Sequence, residues 1–160
     1  KPNSRTMVAR SAAIEKGLAA ANVRVLENSR ARIDRPGGAF WVAGLADYDS
    51  LRTKPSYSDT LGDLEGNDPI VALAHWPDVF AAAPDNVAVT LAAHSHCGQV
   101  NLPLFGRLIH ASTGSAKWQC GLYEVRGRKL YVTGGVGVSI LPVRFLQPPE
   151  IAMVTLRGVS

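Results

Sequence analysis

Pro69-Ile70-Val71-Ala72-Leu73-Ala74-His75 and Val87-Ala88-Val89-Thr90-Leu91-Ala92-Ala93-His94-Ser95-His96-Cys97-Gly98-Gln99 are the stretches whose reading decides the fold. Each opens with a continuous apolar run of strand length, the pattern of a β-strand buried on both faces. Each also delivers a histidine just past the carboxyl end of its strand, where open α/β sheets build ligand sites. Between them, Pro77 suits the first turn of a helix over residues 78–83, because it lacks an amide hydrogen that would be orphaned there. Three of the chain's four histidines lie in these stretches. Imidazole is the commonest protein metal ligand, and its second nitrogen is free to take an orienting hydrogen bond. In an extended segment residues two apart share a face, so His94 and His96 are expected to aim at one point while Ser95 turns away. His75, His94 and His96 are therefore candidate metal ligands.

Outward from this centre the pattern continues as α/β. Residues 4–21 read as a helix capped by Ser4 or Ser11, with Val8, Ala12, Ile14, Leu18, Ala19 and Ala21 as an apolar stripe weakened by Gly17. A strand is expected over 23–26. A hairpin follows, from strand 31–34 through the turn Arg35-Pro36-Gly37-Gly38 to strand 39–45. Asp47 ends it, either capping a turn or presenting a carboxylate at the mouth of a sheet. Residues 48–67 are polar and broken by Pro55, Gly62 and Gly66, which implies a long loop with a short helix over 58–64. Beyond the histidines, Gly98 permits a sharp turn and Gln99 is a candidate to orient a ligand histidine. His110 sits without ligand-like neighbours and is read as a bystander or a loop residue on the substrate side. The clearest hairpin runs from 121–125 across Arg126-Gly127-Arg128 to 129–133. The glycine-rich segment 134–137 is followed by neither a helix nor Lys-Ser/Thr, so it is not a phosphate-cradling P-loop. A last strand is expected over 150–156.

The chain has 160 residues, 46% of them hydrophobic, which is one domain's worth with a real core. Its 17 Lys and Arg against 13 Asp and Glu give +4, well short of a nucleic-acid-binding composition, and no specific nucleic-acid binding is expected. The basic residues before position 36 are read as a solvated face. No run approaches the eighteen or so apolar residues that span a bilayer, so this stretch is expected to be soluble. Cys97 and Cys120 allow at most one disulfide.

Several motifs together carry a family resemblance. They are Ala74-His75-x-Pro-Asp-Val-Phe, Ala93-His94-Ser95-His96-Cys97-Gly98-Gln99-Val100-x-Leu102-Pro103, Gly121-Leu122-Tyr123, Leu130-Tyr131-Val132-Thr133-x-Gly-x-Gly, and Pro142-x-Arg144-Phe145-x-x-Pro148-Pro149-Glu150-Ile151. In order and spacing they resemble the calcineurin-like metallophosphoesterases, most of all the bacterial membrane-associated or exported phosphodiesterase branch. The resemblance implies a four-layer α/β/β/α sandwich, with mixed β-sheets and flanking helices. It also implies a dinuclear centre of divalent Mn, Fe or Zn that hydrolyses phosphoesters. Carried over residue by residue, His75 and His94 ligate one metal and His96 the other, with His94 and His96 in the catalytic set. Gln99, Asp47 and Arg144 are candidates for orienting ligands or contacting substrate, and Arg107 and Lys117 are further basic residues on predicted loops. The substrate is implied to be a small or an envelope-linked phosphodiester, or a phosphomonoester.

The family's amino-terminal half supplies an Asp-x-His, a Gly-Asp-x-x-Asp and a Gly-Asn-His-Asp motif, and none of these occurs here. Ala93 and Cys97 also stand where the family commonly has glycine. The expectation is that residues 1–160 form the carboxyl-terminal part of a single calcineurin-like phosphoesterase domain. Three neutral imidazoles do not neutralise two divalent ions, so the isolated chain is expected to be inactive and to associate with the missing half or with itself. The parent protein is implied to be membrane-associated or exported. A second reading makes the chain an inactive fragment or a small binding module, stabilised by a zinc on His94, His96, Cys97 and Cys120 or by a Cys97–Cys120 disulfide.

Overall fold

The computed structural model describes residues 4–104, 106–107, 117–139 and 141–157, with the backbone alone at Ser4, Arg5 and Arg107; His110 lies outside the described residues. The chain forms two compact units, Lys1–Ala74 with Ala82–Ala88, and His75–Ala81 with Val89–Ser160. No helix among the described residues is long and apolar enough to cross a membrane.

The first unit holds helix α1 (Ser4–Ala20), strands β1 (Ser29–Arg35) and β2 (Gly38–Gly44), helix α2 (Tyr57–Leu61) and strand β3 (Ile70–Leu73). β1 and β2 form the expected antiparallel hairpin, in register from Ser29↔Gly44 to Arg35↔Gly38. Gly37 and Gly38 carry it round the turn at φ 93° and 148°, which few other residues adopt. β2 then pairs in parallel with β3, from Trp41↔Ile70 to Gly44↔Leu73. Ala43, Leu61, Ile70, Ala72 and Val87 form the core, with Trp41, Tyr57 and Leu64 packed against it. The long polar loop is pinned by one side chain. Asn28 Oδ1 accepts from the amides of Ala46 (3.0 Å) and Ser56 (3.1 Å), and its Nδ2 donates to the Lys54 carbonyl (2.7 Å). Ser56 caps α2 by accepting from the Asp59 amide at 3.1 Å, so this helix begins and ends earlier than the sequence suggests.

Two expectations fail in this unit. Residues 23–26 pair in no ladder; Asn28 turns the chain at φ 45° before β1, and Leu26 lies against Gly44. Helix α1 forms, but Met7, Val8, Ile14 and Leu18 are exposed rather than buried. Half of its stripe is alanine, which offers little area to bury, and an ion pair from Glu15 to Arg52 tethers it.

Gly44 is fixed by space. A Cβ there would lie 2.3 Å from Leu26 Cβ and 2.6 Å from the Leu26 carbonyl oxygen, whereas one at Gly17 would meet nothing within 4 Å. Gly44→Ala is expected to destabilise by about 1–3 kcal/mol through overpacking. Gly17→Ala is expected to stabilise by up to about 1 kcal/mol by removing helix-opposing backbone entropy. Thermal unfolding of both variants checks this, and equal midpoints for the two would remove the steric account.

The second unit is built on β4 (Val87–Ala92), β5 (Asn101–Leu102), β6 (Gly106–Arg107), β7 (Gly121–Val125) and β8 (Arg128–Val132). β4 pairs in parallel with β8, and β8 pairs antiparallel with β7. Arg126 and Gly127, at φ 53° and 77°, make the tight turn whose twist suits a two-residue hairpin. β5 and β6 form a short antiparallel pair. Phe80 meets Trp118 edge to face at 5.3 Å between centroids, in a core with Val79, Ala92, Leu130 and Val132. The chain is thus α/β with mixed strand pairing and few helices.

Here too the sequence reading needs correcting. The helix after Pro77 is a 3-10 helix, Pro77–Ala82, rather than an α-helix. β4 is not buried on both faces: Val87, Thr90 and Ala92 are buried, but Ala88 is exposed. In β3, Ile70, Val71 and Ala72 are buried and Leu73 is exposed. Residues 150–156 have no ladder partner among the described residues, and Ile151 and Met153 are 89% and 95% exposed.

Candidate metal centre

β4 ends at Ala92, and the Ala93 amide donates to the His75 carbonyl at 3.0 Å, which brings the two histidine-bearing segments together within the second unit. His94 then turns left-handed (φ 60°), as do His96 (48°), Cys97 (54°), Gly98 (86°) and Gln99 (49°). The extended geometry expected for 94–96 is therefore absent, and His94 and His96 do not share a face by strand alternation. Non-glycine residues in this region each carry a cost of about 1 kcal/mol or more, so the surroundings must hold them there. Ser95 is one such holder. Only 3% exposed, it accepts from the Cys97 amide at 3.3 Å and donates to the Gln119 carbonyl. The Cys97–Cys120 disulfide is another, with 4.8 Å between its Cα atoms.

The turn places His94 against His75, not against His96. His94 Nδ1 and His75 Nε2 are 3.0 Å apart, with the rings edge to face at 79°. Trp76 stacks on the His94 ring at 3.5 Å between centroids and fixes its plane. Two nitrogens about 2.1 Å from one ion and at a right angle to each other are about 3.0 Å apart, so the pair fits one metal. Among the described residues, no third His, Cys, Asp or Glu ligand atom joins both of them within 4.8 Å.

His96 has separate surroundings. Its Nδ1 is 3.4 Å from Arg144 Nη2, and the Gly137 backbone lies beside its ring. Burial and then the Arg144 cation push its pKa below the ordinary histidine value, the Gly137 backbone opposing them. The neutral imidazole that results is the form that binds a metal. Arg144 also donates to the carbonyls of Gly134 (2.6 Å), Gly135 (3.0 Å) and Gly137 (2.6 Å from Nη2, 2.9 Å from Nε).

The structure gives the other predicted site residues these partners. Gln99, 1% exposed, turns its amide to the loop that follows. Its Nε2 donates to Ser139 (3.0 Å) and Leu141 (2.8 Å) carbonyls, and its Oε1 accepts from the Ser139 amide at 2.7 Å. All these bonds go to the backbone and none to an imidazole. Asp47, in the first unit, accepts from the Asp49 amide at 2.7 Å, the turn-capping pattern. Lys117 stands 5.2 Å above the Trp118 ring.

The zinc site proposed for the second reading does not form, because Cys97 and Cys120 are joined as a disulfide and offer no thiolate. Glu150 lies beside them, but its carboxylate accepts from Tyr131 (2.7 Å) and Thr133 (2.9 Å), and that bond holds the Tyr131 hydroxyl pKa up. Sequence reasoning missed Trp76, Ser95 and the Tyr123 hydroxyl, which accepts from the Gln119 and Cys120 amides at 2.9 and 3.1 Å. Only proximity to the histidines and cysteines marked them, since stacking and loop bracing leave no periodic signal.

Known proteins supply the wider context. The chain is 34% identical over 125 residues to a protein of Bacillus subtilis named uncharacterized metallophosphoesterase YkuE, covering 78% of this chain and 43% of that one. It is 32% identical over 148 residues to a zebrafish (Danio rerio) protein named transmembrane protein with metallophosphoesterase domain, covering 84% and 32%. An Aquifex aeolicus uncharacterized metallophosphoesterase is 27% identical over 148 residues, covering 88% and 53%. The chain thus spans about half the length of these curated relatives, or less. No family model and no solved structure matches it. Since relatives from two bacteria and a vertebrate carry the same family name and align with more than three quarters of its residues, the chain belongs to the metallophosphoesterase family.

Proposed function

We propose that the chain is the carboxyl-terminal part of a dinuclear metallophosphoesterase domain, a four-layer sandwich when complete, that hydrolyses phosphoesters. The observation that carries this is the 3.0 Å approach of His75 Nε2 and His94 Nδ1. In this reading His75 and His94 hold one divalent ion, of Mn, Fe or Zn type, and His96 contributes to the second. When bound, such ions supply Lewis-acid charge and a nucleophile at neutral pH. The chain's own residues fix the imidazoles: Trp76 sets the plane of His94, the disulfide and Ser95 hold the turn, and Arg144 stands 3.4 Å from His96 Nδ1. Carboxylates from the rest of the parent chain complete the charge balance and the remaining ligand positions, so activity belongs to the complete domain. A phosphodiester, small or envelope-linked, is the substrate class favoured by the branch the motifs resemble. A disulfide in this region and the membrane named in the zebrafish relative both favour a parent that works in an oxidising, exported setting.

The test uses the full-length protein. Metal analysis is expected to find about two transition metals per chain, with hydrolysis of bis-p-nitrophenyl phosphate lost on chelation and restored by Mn²⁺. A protein that binds no transition metal and turns over neither this diester nor p-nitrophenyl phosphate would overturn the reading.

A further inference from the structure

Arg144 is the basic residue that the sequence offers as a phosphate contact, and its surroundings do not suit that task. Its Nη2 and Nε are committed to three carbonyls, those of Gly134, Gly135 and Gly137. Its Nη1 is buried from solvent with no hydrogen-bond partner, so a phosphate arriving from solvent does not reach it without displacing the loop. None of the ion pairs among the described residues involves it. A guanidinium inserted into a ring of backbone carbonyls instead fastens that backbone, because its donors lie in a rigid planar fork. What it fastens is the wall beside His96. Gly137 lies in contact distance of that ring: a Cβ there would be 3.9 Å from His96 Cε1.

The same wall is held from its far side. Gln99 clasps Ser139 and Leu141, the Phe145 amide donates to the Gln99 carbonyl at 3.0 Å, and the Asn101 amide donates to the Phe145 carbonyl at 2.9 Å. Residues 134–139 and 141–145 are therefore laced to the histidine turn, with Arg144 as the tie nearest an imidazole.

We propose that Arg144 is a positioning residue, not a substrate contact: its guanidinium, 3.4 Å from His96 Nδ1 and bonded to the Gly137 carbonyl, fixes the wall against which the His96 ring lies and so sets the orientation of that ring. A ligand histidine whose ring is held from the side away from the metal presents one defined nitrogen to it, and loss of such a support costs about 10–100-fold in metal affinity or activity. The inference rests on the metal-centre reading and specifies how one of its ligands is held.

Arg144→Ala and Arg144→Lys are compared with wild type in the full-length protein, loaded with Co²⁺. The measurements are the cobalt absorption spectrum, the cobalt dissociation constant, kcat and KM for bis-p-nitrophenyl phosphate, and inhibition by inorganic phosphate. The expected result for Arg144→Ala is an altered cobalt spectrum, a dissociation constant raised about 10–100-fold for one of the ions and a comparable fall in kcat. Inhibition by phosphate should stay within about threefold of wild type, by the same reasoning that no phosphate reaches the guanidinium. Arg144→Lys keeps the charge but loses the fork, and is expected to show the same altered spectrum in smaller degree; it decides the matter if the alanine variant does not fold. A wild-type spectrum and cobalt affinity, with KM and phosphate inhibition weakened together, would make Arg144 a substrate contact and sink the inference. Failure of the wild-type protein to bind cobalt would instead overturn the metal-centre reading beneath it.

Discussion

Replacing His94 with alanine in the full-length protein is expected to remove one bound transition metal and to lower hydrolysis of phosphodiesters by about 10³-fold or more, since metal Lewis-acid stabilisation is worth several kcal/mol. His94 is the residue on which three separate arrangements converge. Its Nδ1 faces His75 Nε2 at 3.0 Å, its ring lies under Trp76, and its left-handed backbone opens the turn that carries His96. His75→Ala should reproduce the loss, because in the proposed centre each nitrogen of the pair is one of two ligands from this chain to the same ion. His94 is only partly buried and His75 is exposed, so neither change should lower the unfolding midpoint of the metal-free protein much. Metal content and turnover measured on the two variants decide the matter. If either keeps two metals and wild-type turnover, the close pair is only a hydrogen bond between rings.

Removing the Cys97–Cys120 disulfide is expected to cost about 3 kcal/mol of stability, from the entropy of leaving open a loop with a sequence separation of 23. For a chain of this size that is a fall of about 6–12 °C in the unfolding midpoint. The effect should not stop at stability. Cys97 directly follows His96 and is itself left-handed at φ 54°, and Cys120 is the next residue after Gln119, whose carbonyl accepts from Ser95. Reduction therefore loosens the turn that presents His96, the histidine proposed for the second metal, and cobalt affinity should fall along with the midpoint. Calorimetry and metal titration of the oxidised protein, of the reduced protein and of a Cys120→Ser variant test this. Equal midpoints in all three would mean that the bond contributes nothing to the fold in solution.

The elements carrying periodic or turn-specific signals were legible. The two hairpins and the strands ending near His75 and His94 follow from strand-length apolar runs and from glycine at left-handed turns, whereas the Ser56 cap of α2 shows only in the folded chain. Residues 23–26 and 150–156 have strand-like composition but no partner among the described residues, and ladder formation depends on a partner, not on composition alone. The α1 stripe reads as a buried face, yet spacing says nothing about whether a surface exists to cover it. At the site, residue types and order were informative and geometry was not. Strand alternation predicted a His94–His96 pair, whereas the left-handed turn gives a His75–His94 pair, because five positive φ values across 94–99 reverse the direction of successive side chains. Gln99 illustrates the same limit: its place beside the histidines marked it as a candidate to orient an imidazole, and the folded loop commits its amide to Ser139 and Leu141 instead.

Position 97 also sets how the protein can be produced and re-engineered. A glycine would adopt φ 54° without penalty, so a cysteine here exchanges local ease for a cross-link that exists only where thiols are oxidised. Cytoplasmic expression would combine the worse half of each option, a strained side chain and no bond. Cys97→Gly with Cys120→Ala is accordingly the substitution pair for a version that keeps its histidine turn in a reducing cell, and export with the bond intact is the route for the natural sequence.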